Sequence, residues 1–468
     1  MSRFKGSQSP LSPPAAAVPV IPRTLAPLFP PQTRAPIPLT PRPAPPRVST
    51  LENPLYKLGF LAVWAYTAML FAFLNELIGL TFGIRAFLPY LFGPPAILAA
   101  LLSGRVRQIF TTRIGYCIVG LYVFWIASVP FSFYKTASLM LLKDALITNY
   151  STFFMIAALA IGIDKVRRLM YTIAVCGVLD LVASYKFGRM QADGRFSFAA
   201  GSMANANDFA VHLLISLPFC LLIAFDKGRL AILRLAMLAA SAGILVVALR
   251  TGSRSAMLSI GIVCLFAAWK ASSMQRVLIA AGVLFALLLA PIIAPQAWLR
   301  LVTVFDSSAA YESGEAASAV DSTNARKHLL MRSIEVTIEH PLAGVGAGEF
   351  MDAEAGIAHE EGVRATWQVT HNAYTQVSSE TGIPAFLCFV GVIFGSIGLC
   401  FRLYNRARRD PRLRQIAHMS LFLMLSLVCL AANMFFDALA YSYYLPALAG
   451  LTVALWNASQ EPMRAVGA

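Results

Sequence analysis

Apolar runs of about 20 residues recur along this chain from residue 58 to residue 456, separated by short polar loops. A run of that length crosses roughly 30 Å of hydrocarbon as one helix. The pattern predicts about twelve spans, near 58–80, 86–103, 114–131, 145–163, 169–186, 207–225, 231–249, 254–270, 276–295, 383–401, 416–436 and 438–456. Two stretches break the pattern: the first 50 residues, and a long polar segment from 296 to 380. The expected organisation is a tail over 1–54, nine membrane helices over 55–295, a large loop with short helices over 296–382, and three more membrane helices with a C-terminal tail over 383–468. The fold class is an all-α polytopic membrane protein.

Composition agrees. Of 468 residues, 58% are hydrophobic and 13% charged, and mean hydropathy is +0.66. The first 50 residues hold 14 of the 27 prolines, interleaved with Arg23, Arg34, Arg42 and Arg47. Such a segment cannot bury a core and reads as a disordered, partly polyproline-II tail. Its PxxP-like stretches are either docking sites for a cytoplasmic partner or simply solvated. All seven cysteines fall inside or at the ends of apolar runs, so neither a disulfide framework nor a zinc spacing is legible. The N-terminus lacks the compact apolar core of a signal peptide, and the first span is expected to act as the insertion signal.

The net charge of +15 raises the question of nucleic acid, but the cations cluster in short loops between apolar runs, where membrane orientation explains them. With the tail in the cytoplasm, the inside loops hold Arg105, Arg107 and Arg113; Lys165, Arg167 and Arg168; Lys227, Arg229 and Arg234; Lys270 and Arg276; and the run RLYNRARRDPRLR from Arg402 to Arg414. Every second loop is then basic, and both termini are cytoplasmic. Residues 296–380 fall outside, with twelve acidic side chains against five basic ones. That compartment holds neither ATP nor nucleotide sugars, so chemistry there draws its energy from the substrate.

Three places on the outer face carry candidate chemistry. In GRFSFAAGSMANANDFA (194–210), Asn205, Asn207 and Asp208 suit the N-cap of the sixth span, whereas Arg195 is either a surface charge or an anion ligand. In LRTGSRSAML (249–258), Arg250 suits a helix C-terminus. Arg254 begins the next helix, where the dipole disfavours a cation and anions bind well, so beside Ser253 and Ser255 it is either half of a phosphate site or a snorkelling side chain. The large loop contains a helix within 322–350, with an apolar stripe of Leu330, Ile334 and Ile338, ended by Pro341. The GVGAG that follows neither succeeds a strand nor opens a βαβ unit, so it reads as a glycine-rich turn that lets backbone approach the membrane or substrate rather than as a dinucleotide loop.

In HNAYTQVSSETGIP (371–384), residues 371–380 suit a short helix, Gly382 its stop, and Pro384 the first turn of the next span. His371, Tyr374, Thr375 and Ser378 would share one face. A lone outside histidine is usually just solvated, but with Arg195 and Arg254 on the same face a near-neutral base beside an anion site suits a transferase.

The set GRFSF…NAND, TGSRSAML, R…HPLAGVGAGEF and HNAYTQVSSETGIPAF, in that order and topology, resembles the O-antigen ligase and O-antigen polymerase superfamily over roughly residues 190–390. The resemblance implies a GT-C-like, metal-independent, inverting glycosyltransferase of the bacterial inner membrane with one large periplasmic loop. Its donor would be a glycan on undecaprenyl pyrophosphate and its acceptor a glycan or lipid, with no cofactor and no nucleic acid. By motif position His371 would be the essential histidine, and Arg254, Arg195 and Arg326 would bind the substrate pyrophosphate, with Asn372, Tyr374 and Ser253 in support. The superfamily makes lipopolysaccharide and exopolysaccharide. Ligation is slightly favoured as the label, and repeat-unit polymerisation is the alternative. A secondary transporter is a separate reading that rests on Asn75, Glu76, Asp180 and Asp437 in or near the spans.

Overall fold

Each of the twelve expected spans overlaps a helix, though not always with the expected ends. The computed structural model describes residues 54–84, 86–199, 201–295, 298 and 314–467, all within the unit Ser49–Ala468. The proline-rich tail up to residue 53 and most of 296–313 lie outside the described residues. In chain order the helices are α1 Pro54–Phe71, α2 Leu74–Phe82, α3 Leu88–Leu102, α4 Arg113–Ser128, α5 Lys135–Asp144, α6 Ser151–Leu159, α7 Ile163–Phe187, α8 Ala206–Ala224, α9 Ala231–Arg250, α10 Arg254–Lys270, α11 Ser273–Ile293, α12 Gly314–Glu339, α13 Phe350–Glu360, α14 Ala373–Ala407, α15 Arg414–Asn433 and α16 Tyr444–Ala465.

By length and apolarity alone, six of the described helical segments qualify as spans: Pro54–Phe71, Arg113–Phe131, Ala206–Ala224, Ala231–Arg250, Ala373–Ala407 and Pro411–Asn433. The expected twelve fall short by this measure for local reasons. Within 58–80 the chain breaks at Phe73, whose φ of 43° ends one helix and starts another, so only the part in Pro54–Phe71 qualifies. Over 145–163, six residues of wide π-type turn precede a helix of only nine residues. Helix α10 has 17 residues and α3 has 15. The chain is a multi-pass membrane protein. Helix α8 is buried along nearly its whole length, while α11 presents Val277, Leu284, Phe285 and Leu288 outward, as lipid-facing helices do.

Within the expected all-helical design, one loop is a β-hairpin: β1 (Gly188–Met190) pairs antiparallel with β2 (Phe196–Phe198). Helix α12 begins at Gly314, earlier than the 322–350 reading, and ends at Glu339 as Pro341 requires. Its buried face is also not the expected one. Leu329, Ser333 and Val336 face inward, whereas Ile334 is 40% and Ile338 72% exposed. Leu329 and Val336 pack with Val345, Phe350 and Ala353 of the following turn and α13, which rotates the helix away from the Leu330 stripe.

Candidate active site

Three helix starts build one end of the molecule. Asn205 caps α8, its side chain accepting from Asn207 N. Ser253 caps α10 by accepting from Ala256 N, and Asn372 caps α14 by accepting from Tyr374 N and Thr375 N. Each cap satisfies amides that a helix start leaves unpaired, so the residues that follow or precede it are held in place.

His371 stands just outside the α14 cap. It is not the first residue of a helix sharing a face with Tyr374, Thr375 and Ser378, as the sequence suggested, because Asn372 is the cap and His371 has a left-handed φ of 50°. A non-glycine residue there costs about 1 kcal/mol or more, so its surroundings must hold it. They do so through Thr370, whose hydroxyl donates to the Asn372 carbonyl at 3.0 Å, and through Ala373 N, which donates to the Met434 carbonyl at 2.7 Å. Tyr374 points away: its hydroxyl bonds the Ala431 carbonyl and its ring packs on Phe435.

The GVGAG turn fixes the other end of the same short helix. Val345 N and Gly346 N donate to the Ser379 and Glu380 carbonyls, and Gly348 N donates to Glu380 Oε2 at 2.9 Å. Tyr441 Oη donates to the same carboxylate oxygen at 2.6 Å. Gly344, at φ 65°, lies so close that a Cβ would sit 2.2 Å from the Glu380 backbone carbon. The glycines therefore serve close approach, but to the chain's own backbone at Glu380 and to Ser132 rather than, as the sequence suggested, to the membrane or substrate. Gly382, at φ 86°, stops this segment before Pro384 starts the span proper.

His371 opens onto a cavity of about 320 Å³, within the ordinary range for small-molecule sites. Arg254, Arg326 and Lys327 also line it, with Leu258, Leu330, Phe435 and Phe436 as its apolar wall, and no described lining residue is acidic. Arg254 leaves the N-terminus of α10 and reaches α12, donating to Thr323 Oγ1 at 2.7 Å. Three cations and a helix N-terminus around one space favour an anion.

Arg195 does not line this cavity. It sits at the hairpin's return, donating from Nε to the Thr251 carbonyl at 2.9 Å and from Nη2 to Asn207 Oδ1 at 2.5 Å. It thus holds the turn that carries Arg254 against the start of α8. Ser253 is buried and bonds Ser255, which donates to Asp437 Oδ2 at 3.3 Å. Asp437, read from sequence only as a transporter-like charge, is a buried carboxylate behind the cavity wall. Its one sequence signal is its place in NMFFDALA, just past the end of α15.

Burial, and secondarily the Arg326 guanidinium, lowers the His371 pKa to about 4, so the imidazole is neutral at pH 7. Burial and the nearby Asp208 raise Asp437 to about 7, against the opposing pull of Arg326, Ser255 and Arg195. A depressed histidine keeps its proton-accepting form as pH falls through 6.5 and loses it only near 4. The acid limb of kcat/KM, which reports the base of the free enzyme, is therefore expected well below pH 6.5. A limb at pH 6–7 that persists in Asp437→Asn would contradict this.

The family model for O-antigen ligase matches residues 236–390. The chain carries a domain of the O-antigen ligase and polymerase superfamily. No curated protein matches the chain. The O-antigen ligase domain contains Arg254, Arg326 and His371, and so the cavity's cations and its imidazole; Arg195 precedes it and Asp437 follows it. The matched domain supports a membrane glycosyltransferase of ligase or polymerase type.

Proposed function

We propose that the protein moves a glycan from undecaprenyl pyrophosphate to an acceptor hydroxyl on the periplasmic face of the inner membrane, by a metal-independent, inverting displacement. The observation that carries this reading is the cavity in which three cations and no described carboxylate meet a neutral imidazole. Arg254 and Arg326 take the pyrophosphate, while Arg195 and Ser253 hold the turn beneath Arg254 and Asn372 holds the turn bearing His371. The acceptor oxygen attacks the anomeric carbon from the face opposite the phosphate, its proton passes to His371, and the carbon–oxygen bond to the leaving pyrophosphate breaks. Charge grows on that leaving group as the bond lengthens, so the guanidinium groups act more strongly on the transition state than on the ground state. The apolar wall suits the first isoprene units of the donor.

Orientation rests on charge. Helix α8 runs from Asn207, beside Arg195, to the loop of Asp226, where Arg167, Lys227, Arg229 and Arg414 gather. The positive-inside rule puts that basic end, with both termini, in the cytoplasm and the cavity outside. The proline-rich tail would meet any partner there.

Ligation is the favoured label, and the glycan profile of a deletion strain tests it. Long undecaprenyl-linked chains left unattached are the expected result. Single-repeat products would reassign the protein to polymerisation. An unchanged glycan profile with a lost solute uptake would overturn the proposal in favour of transport.

A further inference from the structure

Helices α1 and α7 run side by side in the same direction. Lys165 Nζ lies 4.4 Å from the Phe60 ring centre, Trp64 Nε1 donates to Thr172 Oγ1 at 2.7 Å, and Cys176 Sγ approaches the Ala68 carbonyl at 3.6 Å. Along them lies a cavity of about 1120 Å³, far larger than the one at His371. It belongs to the opposite end of the molecule, because Tyr171 on its wall bonds Asp226, just past the end of α8 away from Arg195.

The groove is graded along its length. Lys57, Lys165, Arg167, Arg168 and Arg229 crowd one end. The one acid among the described lining residues, Asp164, is taken by Arg167 at 2.8 Å, and Arg229 is taken by Asp226 at 3.5 Å. Lys57, Lys165 and Arg168 have no ion-pair partner among the described residues. Beyond them the walls are Leu61, Trp64, Ala72, Val175 and Leu179, and Leu61, Val175 and Leu179 are each about half exposed. From Lys57 to Ala72 the chain rises about 22 Å at helical pitch. That is roughly the depth of one leaflet with its headgroup zone.

We propose that this groove binds one anionic phospholipid of the leaflet at the basic end, its phosphate among Lys57, Lys165 and Arg168 and an acyl chain along Trp64, Val175 and Leu179. A cationic mouth over an apolar slot of one-leaflet depth fits that amphiphile. A zwitterionic lipid neutralises its own phosphate and gains less from the three cations. The chain's own N-terminal segment is a poorer match by charge, since Arg23, Arg34, Arg42 and Arg47 carry the sign of the mouth.

Trp64 supplies the readout. The full-length protein is placed in phosphatidylcholine nanodiscs doped with acyl-brominated phosphatidylglycerol or acyl-brominated phosphatidylcholine, and the Trp64 signal is isolated by difference from Trp64→Phe. Brominated phosphatidylglycerol is expected to quench at a mole fraction roughly tenfold lower than its phosphatidylcholine counterpart. The triple variant Lys57→Ala, Lys165→Ala, Arg168→Ala should erase that preference while keeping melting temperature and glycan transfer, and Arg168→Gln alone should reduce it severalfold if the triple variant does not fold. Equal quenching by the two headgroups, or a preference that survives these substitutions, overturns the proposal. So does a preference that emerges only after residues 1–53 are deleted, which would make the tail the occupant.

Discussion

His371→Ala is expected to leave the protein in the membrane at normal level and melting temperature and to lower glycan transfer by about 10²–10⁴-fold, the usual contribution of a positioned general base. The side chain lines the cavity and makes no hydrogen bond to a described residue, so its removal disturbs little packing. The left-handed turn it occupies is held by Thr370 and Met434 through backbone partners that alanine keeps. Transfer is measured in membrane vesicles supplied with lipid-linked glycan, alongside complementation of a deletion strain. Full transfer by this variant would remove His371 from the reaction and leave the cavity as a binding site only.

Arg254→Ala should lower turnover by about 10²–10³-fold, as loss of one donor to a developing oxyanion does elsewhere. Arg254→Lys is the sharper test. A lysine keeps the charge but loses the planar fork that grips two phosphate oxygens together, and it does not span from α10 to Thr323 in the same way. It is expected to recover little of the rate. Near wild-type turnover in Arg254→Lys would mean that a point charge suffices, or that Arg254 serves mainly to tie α10 to α12.

Much of this site is legible in the amino-acid sequence. Cap chemistry points to Asn205 as punctuation, because a helix start in an apolar chain needs a side-chain acceptor whatever surrounds it, whereas the capping by Ser253 and Asn372 emerges only in the structure. Gly382 is readable as a stop because its left-handed φ ends the segment, and the GVGAG glycines as a close approach, although the structure and not the sequence shows that the neighbour is the Glu380 backbone. The orientation of side chains on those elements is not readable. Tyr374 lies two residues from the cap yet packs on Phe435, and α12 buries Leu329 and Val336 instead of Ile334 and Ile338. Arg195 has the sequence context of a second anion ligand, but the hairpin at 188–198 turns its guanidinium onto Thr251 and Asn207.

By itself the sequence determined the solvent of this protein and roughly where its helices lie. Long apolar runs leave the backbone no partner in hydrocarbon except itself, and caps, glycines and prolines act within a few residues. Only the tertiary structure decided which side chains meet. Arg254 and Arg326 sit on two helices and His371 on the turn before a third, spread over more than a hundred residues, and a shared cavity among them depends on how α10, α12 and α14 pack. The same packing brought Asp437 behind Ser255 and put a cationic mouth over an apolar groove between α1 and α7. Local propensity carries no information about such distances, because each is set by contacts between segments far apart in the chain.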